Sequence, residues 1–370
     1  MKQLYKRVRE YIPLFTIIMM ALSFISLILF IIVLNSVEFA DFFNYHIASF
    51  ARWLLAFLTS WIPFSLAELF IILLPIWIIT LLIVAIKTAK KGKKPTVRFI
   101  SVLFGIVCYI FVTFVWTYSS GFHTTTIEKQ LDLKTENLTK QDLYEATMYV
   151  VENINDLSTK IQLDESGSAD LPYNYRELSK EICKAYELYE EKHGVIKSFN
   201  SKIKPIMLSK PLTYTHISGI YTFMTGEGNV NVNYPDFIVV SSATHEMSHQ
   251  RGVARENESN FTALVVLINS ENDFLKYCGY LDMYRYLSNA LYSVDKELFK
   301  QMYGTLCTQA KVELSNYAKF FEKYEDSKAS EVTDKVNDSY LQANGQEHGT
   351  KSYGMIVEVS CAYIKQYKMN

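Results

Sequence analysis

The chain has 370 residues, of which 49% are hydrophobic and 20% charged, and its mean hydropathy is +0.06. This composition excludes a disordered chain and indicates segments that lie in a membrane. Residues 1–118 hold 11 Lys and Arg against 4 Asp and Glu and so carry +7, whereas residues 119–370 carry −8. The acidic second part argues against nucleic-acid binding, and five cysteines are too few for a disulfide framework.

Three apolar segments occur in the first part of the chain, at residues 14–34, 66–86 and 99–118. Each has about 20 residues, enough to cross the roughly 30 Å of a bilayer's hydrocarbon core. The first is too long for the apolar region of a signal peptide, and no small-residue cleavage site follows it. The sequence therefore predicts a membrane domain over residues 1–118, with three transmembrane helices and the lipid bilayer as a partner.

The basic residues predict the topology, because Lys and Arg concentrate in cytoplasmic loops. Four precede the first segment and six lie between the second and third, whereas the link between the first and second holds only Arg52. The N-terminus of this multi-pass cell-membrane protein is therefore expected in the cytoplasm and residues 119–370 outside it. The aromatic 37–63 link favours a helix in the membrane interface, and a fourth span there would reverse the topology. Glu68 is either an ion site or, as favoured, an interfacial residue near water.

The second part of the chain is expected to be mostly helical with one small sheet. Apolar residues recur at helical spacing over 140–157 and 176–192, and the Ser-, Gly- and Pro-containing stretch 164–172 is a loop. Residues 212–240 are rich in β-branched and aromatic side chains, with Gly and Pro between them, which is typical of strands. A last amphipathic helix begins near Tyr353. The predicted fold class is α+β.

A His-Glu-Met-Ser-His sequence at residues 245–249 follows the predicted strands. Residues four apart on a helix share a face, so the imidazoles of His245 and His249 can bind one Zn²⁺ ion. Glu246 then lies beside the first ligand, where it can act as the general base that takes a proton from the attacking water. This pattern predicts a zinc hydrolase.

The limits of this helix decide which residue is the third ligand. Ser241 or Ser242 fits the N-cap, and Gly252 fits the end of the helix. A second helix beginning near Glu256 would turn that carboxylate back toward the histidines, as in gluzincins, whereas Glu258 would point about 200° away around the helix. Glu256 is the predicted ligand, with Glu258 as its competitor.

Two further roles near the metal are assigned from position. Asn260 follows Glu256 by one helical turn, so it is expected to hydrogen-bond a ligand histidine. Hydrolysis also needs a donor for the developing oxyanion, and Tyr353 is favoured over Tyr340 and His348.

The glycine-containing stretch 221–231 has two structural interpretations. It is either a strand that pairs with an extended substrate or a hairpin turn, and the two are compatible. Glu227 within it either binds substrate or shapes the turn.

Short motifs are distributed over nearly the whole chain. They are WIPFSL at 61–66, TGEGNVN at 225–231, HEMSHQRG at 245–252, ENESNF at 256–261, and YLQANGQ with SYG at 340–354. With them the chain resembles domain-of-unknown-function family 3810, a bacterial membrane family of zincin-like character. The sequence departs from the family pattern at residues 117–121, where an aromatic-Asn-Tyr-Arg motif is expected. The resemblance implies a membrane-anchored, metallopeptidase-like domain and gives no substrate.

Together these features predict a membrane-anchored zinc metallopeptidase that cleaves a peptide or protein outside the cytoplasm, with residues 119–370 as a zincin-like domain. One alternative is a non-enzymatic sensor or scaffold with a structural zinc site. Another is a zinc hydrolase that acts on a non-peptide envelope component. Glu246 favours an enzyme, because a structural zinc has no use for a base.

Overall fold

The computed structural model describes residues 8–325, 327–344 and 353–369. From residue 14 onward, its α-helices are α1 (Leu14–Asn35), α2 (Val37–Phe42), α3 (Ser49–Thr59), α4 (Leu66–Ile72), α5 (Leu74–Lys91), α6 (Lys93–Thr117), α7 (Ile127–Gln130), α8 (Lys140–Leu157), α9 (Tyr175–His193), α10 (Ser209–Thr213), α11 (Asp236–Gln250), α12 (Glu256–Ile268), α13 (Asp273–Val294), α14 (Lys296–Thr305), α15 (Thr308–Glu322), α16 (Lys328–Ala343) and α17 (Tyr353–Tyr367). The strands are β1 (Ile203–Pro205), β2 (Gly219–Thr222) and β3 (Glu227–Val230). A π-helix covers Phe43–Ala48 and a 3₁₀ turn covers Ser119–Phe122.

Among the described residues, two helices, α1 and α6, are long and apolar enough to cross a membrane. The remaining predicted span is broken, because α4 and α5 meet at an angle of 58°. Pro75 lies in the first turn of α5, where its missing N–H and fixed φ favour a helix start. The described residues therefore contain two continuous candidate membrane helices, or three candidate spans if α4 and α5 act as one.

Helices α1 and α6 pack side by side in parallel. Thr16 Oγ1 donates to Ser101 O at 2.9 Å, and further along both helices Trp116 Nε1 donates to Ser26 Oγ at 3.0 Å. Gly105 permits this approach, since a Cβ there would lie 2.8 Å from Thr16 Oγ1. Small and polar residues thus join the two helices, as is usual where lipid removes the hydrophobic driving force.

The link after α1 is helical, as predicted. It consists of α2, the π-helix and α3, over residues 37–59. One face of α3 exposes aromatic side chains, with Phe50 60% and Phe57 57% exposed. The opposite face buries Arg52 and Ala56. An amphipathic helix of this kind is typical of a membrane interface.

The helices predicted at 140–157 and 176–192 are confirmed as α8 and α9. Each begins with a capping box, at Thr139 and Asn174, which satisfies backbone N–H groups of the first turn. Together with α11, α12, α13 and α17 they enclose the apolar core. The loop predicted at 164–172 is also confirmed.

The sheet has the strand order β1-β3-β2, with β1 parallel and β2 antiparallel to β3. The strand prediction for 212–240 was therefore too long, because residues 236–240 form the start of α11. Phe237 and Val240 are fully buried there, so packing in the core outweighs their β-propensity. The N-cap of α11 is Pro235, and the N-caps predicted at Ser241 and Ser242 were wrong. Strand β1 was not predicted.

Candidate metal centre

The turn between α11 and α12 brings the candidate ligands together. Helix α11 ends at Gln250, and Gly252 has φ +98°, a left-handed conformation that favours glycine. A Cβ on Gly252 would clash with Arg52 Nη2, so the position is also too crowded for a side chain. Helix α12 then starts at Glu256, as predicted.

Three side chains form one cluster, and they are the predicted ligands His245, His249 and Glu256. Their ligand atoms all lie within 4.8 Å of one another. The Nε2 atoms of His245 and His249 lie 3.2 and 3.4 Å from carboxylate oxygens of Glu256. A tetrahedral ion bound at about 2.0–2.1 Å to each ligand places the ligand atoms about 3.3 Å apart. The cluster therefore fits a small divalent cation.

Hydrogen bonds orient His249 for this role. Its Nδ1 lies 2.7 Å from the carbonyl oxygen of Val253, which also accepts a hydrogen bond from Ser259 Oγ at 2.8 Å. When Nδ1 donates its proton to this carbonyl, Nε2, which faces Glu256, is the nitrogen that can bind a cation in place of its own proton. His245 Nδ1, in contrast, is buried without a hydrogen-bond partner among the described residues.

Charges and burial act together on these groups. Burial raises the pKa of Glu246 to about 7. Burial lowers the pKa of His249, but the neighbouring carboxylates of Glu256 and Glu246 outweigh it and raise that pKa to about 9. Burial also raises the pKa of Glu256, yet the two imidazoles hold it well below its usual range. Two carboxylates beside two imidazoles make a site that attracts a cation.

Glu246 is buried between the cluster and strand β2. The backbone N–H of Tyr221 donates to its carboxylate, and a Cβ on Gly219 would lie 2.5 Å from Glu246 Oε1. The ladder bond from Asn231 N to Ser218 O, together with the register of β2 and β3, turns the backbones of Gly219 and Tyr221 away from β3. The candidate base therefore lies under the free edge of the sheet.

Glu258 lies away from the cluster. It accepts a hydrogen bond from Arg255 Nη1 at 2.8 Å and from Ile127 N at 3.4 Å. Burial raises the pKa of Glu258 despite this partner. Of the two acids that the sequence left in competition, only Glu256 faces the histidines.

The other predicted site residues are less well placed. No hydrogen bond within the described part of the chain joins Asn260 to His245 or His249, whereas the Oγ of the neighbouring Ser259 lies 3.1 Å from His249 Nδ1. The side chain of Tyr353 lies outside the described residues, as do His348 and the side chain of Tyr340. The roles of Asn260 and Tyr353 stay predictions.

Two residues from the membrane part reach the centre, and sequence reasoning did not assign them to it. Tyr118, which follows α6, places its hydroxyl 3.2 Å from His249 Nδ1. Arg52 is fully buried and donates to Asn44 O, Thr117 O and Arg251 O at 2.8, 2.9 and 3.2 Å. The sequence did carry a sign of a buried role for Arg52, because it is the one basic residue of an apolar link.

Two acidic residues fasten the sheet to α4. Glu227 pairs with Lys204 and accepts from Leu66 N at 3.1 Å. Glu68 accepts from the backbone N–H groups of Met207 and Leu208 at 2.9 and 2.7 Å. Glu68 is therefore buried against protein instead of reaching water as expected, and Glu227 makes its contacts with the start of a membrane-side helix.

The fold and the site define a helical membrane protein with a His-His-Glu group that can hold a metal ion. A family model described as "Protein of unknown function (DUF3810)" matches residues 43–359. The chain belongs to this family, as its motifs predicted. No curated protein and no solved structure matches the chain.

Proposed function

We propose that the protein is a membrane-anchored zinc metallopeptidase of zincin type that hydrolyses peptide bonds outside the cytoplasm. The observation that carries the proposal is the position of Glu246. Its buried carboxylate lies between the His245–His249–Glu256 group and the free edge of β2. A structural metal site has no use for a base in this position.

His245, His249 and Glu256 would hold Zn²⁺. When bound, this ion would polarise the scissile carbonyl and make water more acidic. Glu246 would accept the proton of the attacking water and then give it to the leaving amine, so that the peptide bond is replaced by a carboxylic acid and an amine. The backbone of Gly219 and the carbonyl of Tyr221, which point away from β3, would hold an extended substrate by strand addition. Tyr353 stays the candidate oxyanion donor.

The proposed topology has the N-terminus in the cytoplasm and residues 119–370 outside. Its support is the parallel packing of α1 and α6, because two parallel spans require the chain to return across the membrane between them. Among the described helices between them, α4 and α5 together are long and apolar enough to do so, and the basic residues Lys90 and Lys91 at the end of α5 favour a cytoplasmic turn.

Glu246→Gln tests the catalytic role, because it keeps the size of the side chain and removes the base. We expect zinc content near that of the wild type and a loss of hydrolysis of about 10²–10⁴-fold. Full-length protein in liposomes would be assayed for bound zinc and for cleavage of a mixed peptide library by mass spectrometry. Glu297→Gln, at an exposed position, is the matched control.

Two results would contradict the proposal. Unchanged cleavage by Glu246→Gln would remove the role of the base. A zinc-loaded wild type that cleaves no peptide would favour a sensor or scaffold.

A further inference from the structure

We infer that the substrate is a polypeptide anchored in the same membrane and cleaved close to its anchor. This inference rests on the proposed function, since it names the substrate class of that site. It follows from two features of the described residues: the short distance from the metal-binding turn to the exposed aromatic face of α3, and the direction in which strand β2 runs.

A single helix, α3, separates the metal-binding turn from the surface that continues the membrane spans. On its buried face, Arg52 Nη2 donates to Arg251 O at 3.2 Å and approaches Gly252 directly. On its other face, Phe50 and Phe57 are exposed, and α3 also contacts the candidate span α6. A helix with its side chains is about 10–12 Å across. The turn therefore lies about one helix diameter from this exposed aromatic surface, which we infer to face lipid.

Strand β2 runs from the centre toward the membrane helices. The residue after it, Phe223, packs on Phe114 of α6 with ring centroids 5.5 Å apart. In the same β2–β3 turn, Thr225 O accepts from Thr59 Oγ1 at 3.3 Å, and a Cβ on Gly226 would lie 2.7 Å from Leu55 Cβ. A peptide paired along β2 therefore has one end directed at the membrane surface.

The distances are short enough for an anchored chain. An extended polypeptide covers about 3.3–3.6 Å per residue, so about 3–4 residues cover one helix diameter. An anchored substrate would thus be cut within about 10 residues of its anchor. Sharing one bilayer also raises the effective concentration of the substrate, which multiplies apparent affinity without any new contact.

The strand direction predicts which side of the cut carries the anchor. Antiparallel pairing is slightly more stable per residue than parallel pairing. A substrate antiparallel to β2 has its N-terminal side at Thr222, next to α6. We therefore expect faster cleavage when the anchor precedes the cut bond, and a faster C-terminal anchor would reverse only the pairing direction while still supporting a membrane-anchored substrate.

The experiment uses full-length protein in phosphatidylethanolamine–phosphatidylglycerol vesicles with zinc. The probe is a 30-residue mixed-sequence segment fused to one Leu/Ala transmembrane helix, at either end, with a fluorescent tag at the far end. The same segment without the helix, at equal total concentration, is the comparison, and Glu246→Gln gives the background. We expect the anchored segment to be cut at least about 10-fold faster, with cut sites within about 10 residues of the helix.

Several outcomes would overturn the inference. Equal cleavage of the free segment, or cut sites spread evenly over all 30 positions, would remove it and leave the proposed peptidase intact. Hydrolysis of vesicle phospholipid with the polypeptide unchanged would assign the site to a lipid. Absence of cleavage in both forms, with zinc bound, would remove the proposed function together with the inference.

Discussion

The two sides of the candidate metal centre are built in different ways. One side comes from a short stretch of chain, since His245, Glu246, His249 and Glu256 lie on consecutive helices joined by one turn. The other side comes from the membrane part, where Arg52 lies 199 positions before the Arg251 carbonyl that it binds. The first side holds the chemical groups, and the second fixes the turn between them.

The two sides therefore differ in the roles of their residues: one would bind metal and carry out catalysis, and the other holds the turn in place. The side chains of the local side are imidazoles and carboxylates, which are common metal ligands and catalytic bases. On the membrane side, the buried guanidinium of Arg52 donates to backbone carbonyls. The phenol of Tyr118 contacts a ring nitrogen of His249. Substitutions on the local side should therefore change metal binding and catalysis, whereas those on the membrane side should change stability and geometry.

The largest effect is expected for Glu256→Ala compared with Glu258→Ala. Glu256 faces both histidines, whereas Glu258 is paired with Arg255. We expect Glu256→Ala to lose most bound zinc and Glu258→Ala to keep it while unfolding at a lower temperature, because Arg255 loses its carboxylate partner. Zinc per protein, measured after dialysis against a weak chelator, checks this. Zinc retained in the first variant and lost in the second would reverse the assignment.

The next effect concerns the membrane side. Arg52→Met keeps the apolar stem but leaves the carbonyls of Asn44, Thr117 and Arg251 without this donor. Each buried unsatisfied group costs about 1–3 kcal/mol, so a clear fall in the unfolding temperature in detergent is expected. Arg98→Met is the control, because the Arg98 guanidinium is exposed where it donates to Arg9 O. Equal stability of the two variants would show that Arg52 does not fasten the turn.

The same contrast explains what could be predicted from the sequence. Helices α8, α9 and the two continuous spans follow from apolar spacing, which is a local property. The motif at 245–249 and the turn at Gly252 likewise depend on neighbouring residues, and Glu256 follows from helix geometry. Arg52 and Tyr118 could not be assigned, since their partners are distant in sequence. Phe237 and Val240 misled the strand prediction because burial, and not propensity, decides their conformation.

A smaller effect is expected at the ring nitrogen of His249. Ser259→Ala removes a hydroxyl that lies 3.1 Å from Nδ1 and donates to Val253 O. Loss of such a supporting contact typically weakens metal binding by about 10–100-fold. Zinc affinity by competition with a chromophoric chelator would measure it, with Asn260→Ala alongside. A loss confined to Asn260→Ala would restore that residue to its predicted role and remove Ser259 from the site.

The smallest effect is expected for Tyr118→Phe, which tests the membrane side at its contact with a candidate ligand. The Tyr118 hydroxyl lies 3.2 Å from His249 Nδ1, but the carbonyl of Val253 is closer, at 2.7 Å, and is the better acceptor for the Nδ1 proton. Removing the hydroxyl should therefore cost only about 0.5–1.5 kcal/mol, which is at most about a tenfold loss of zinc affinity. The ring would still stack on Phe223.

Tyr118→Ala removes the ring as well and separates the two contributions. Because the ring packs on both Phe223 and Phe122, this variant should also lower the unfolding temperature, whereas Tyr118→Phe should not. Tyr109→Phe, on the exposed surface of α6, serves as the control for loss of a tyrosine hydroxyl. If Tyr118→Phe binds zinc as poorly as Glu256→Ala, Tyr118 contributes directly to metal binding. The membrane side would then do more than hold the turn in place.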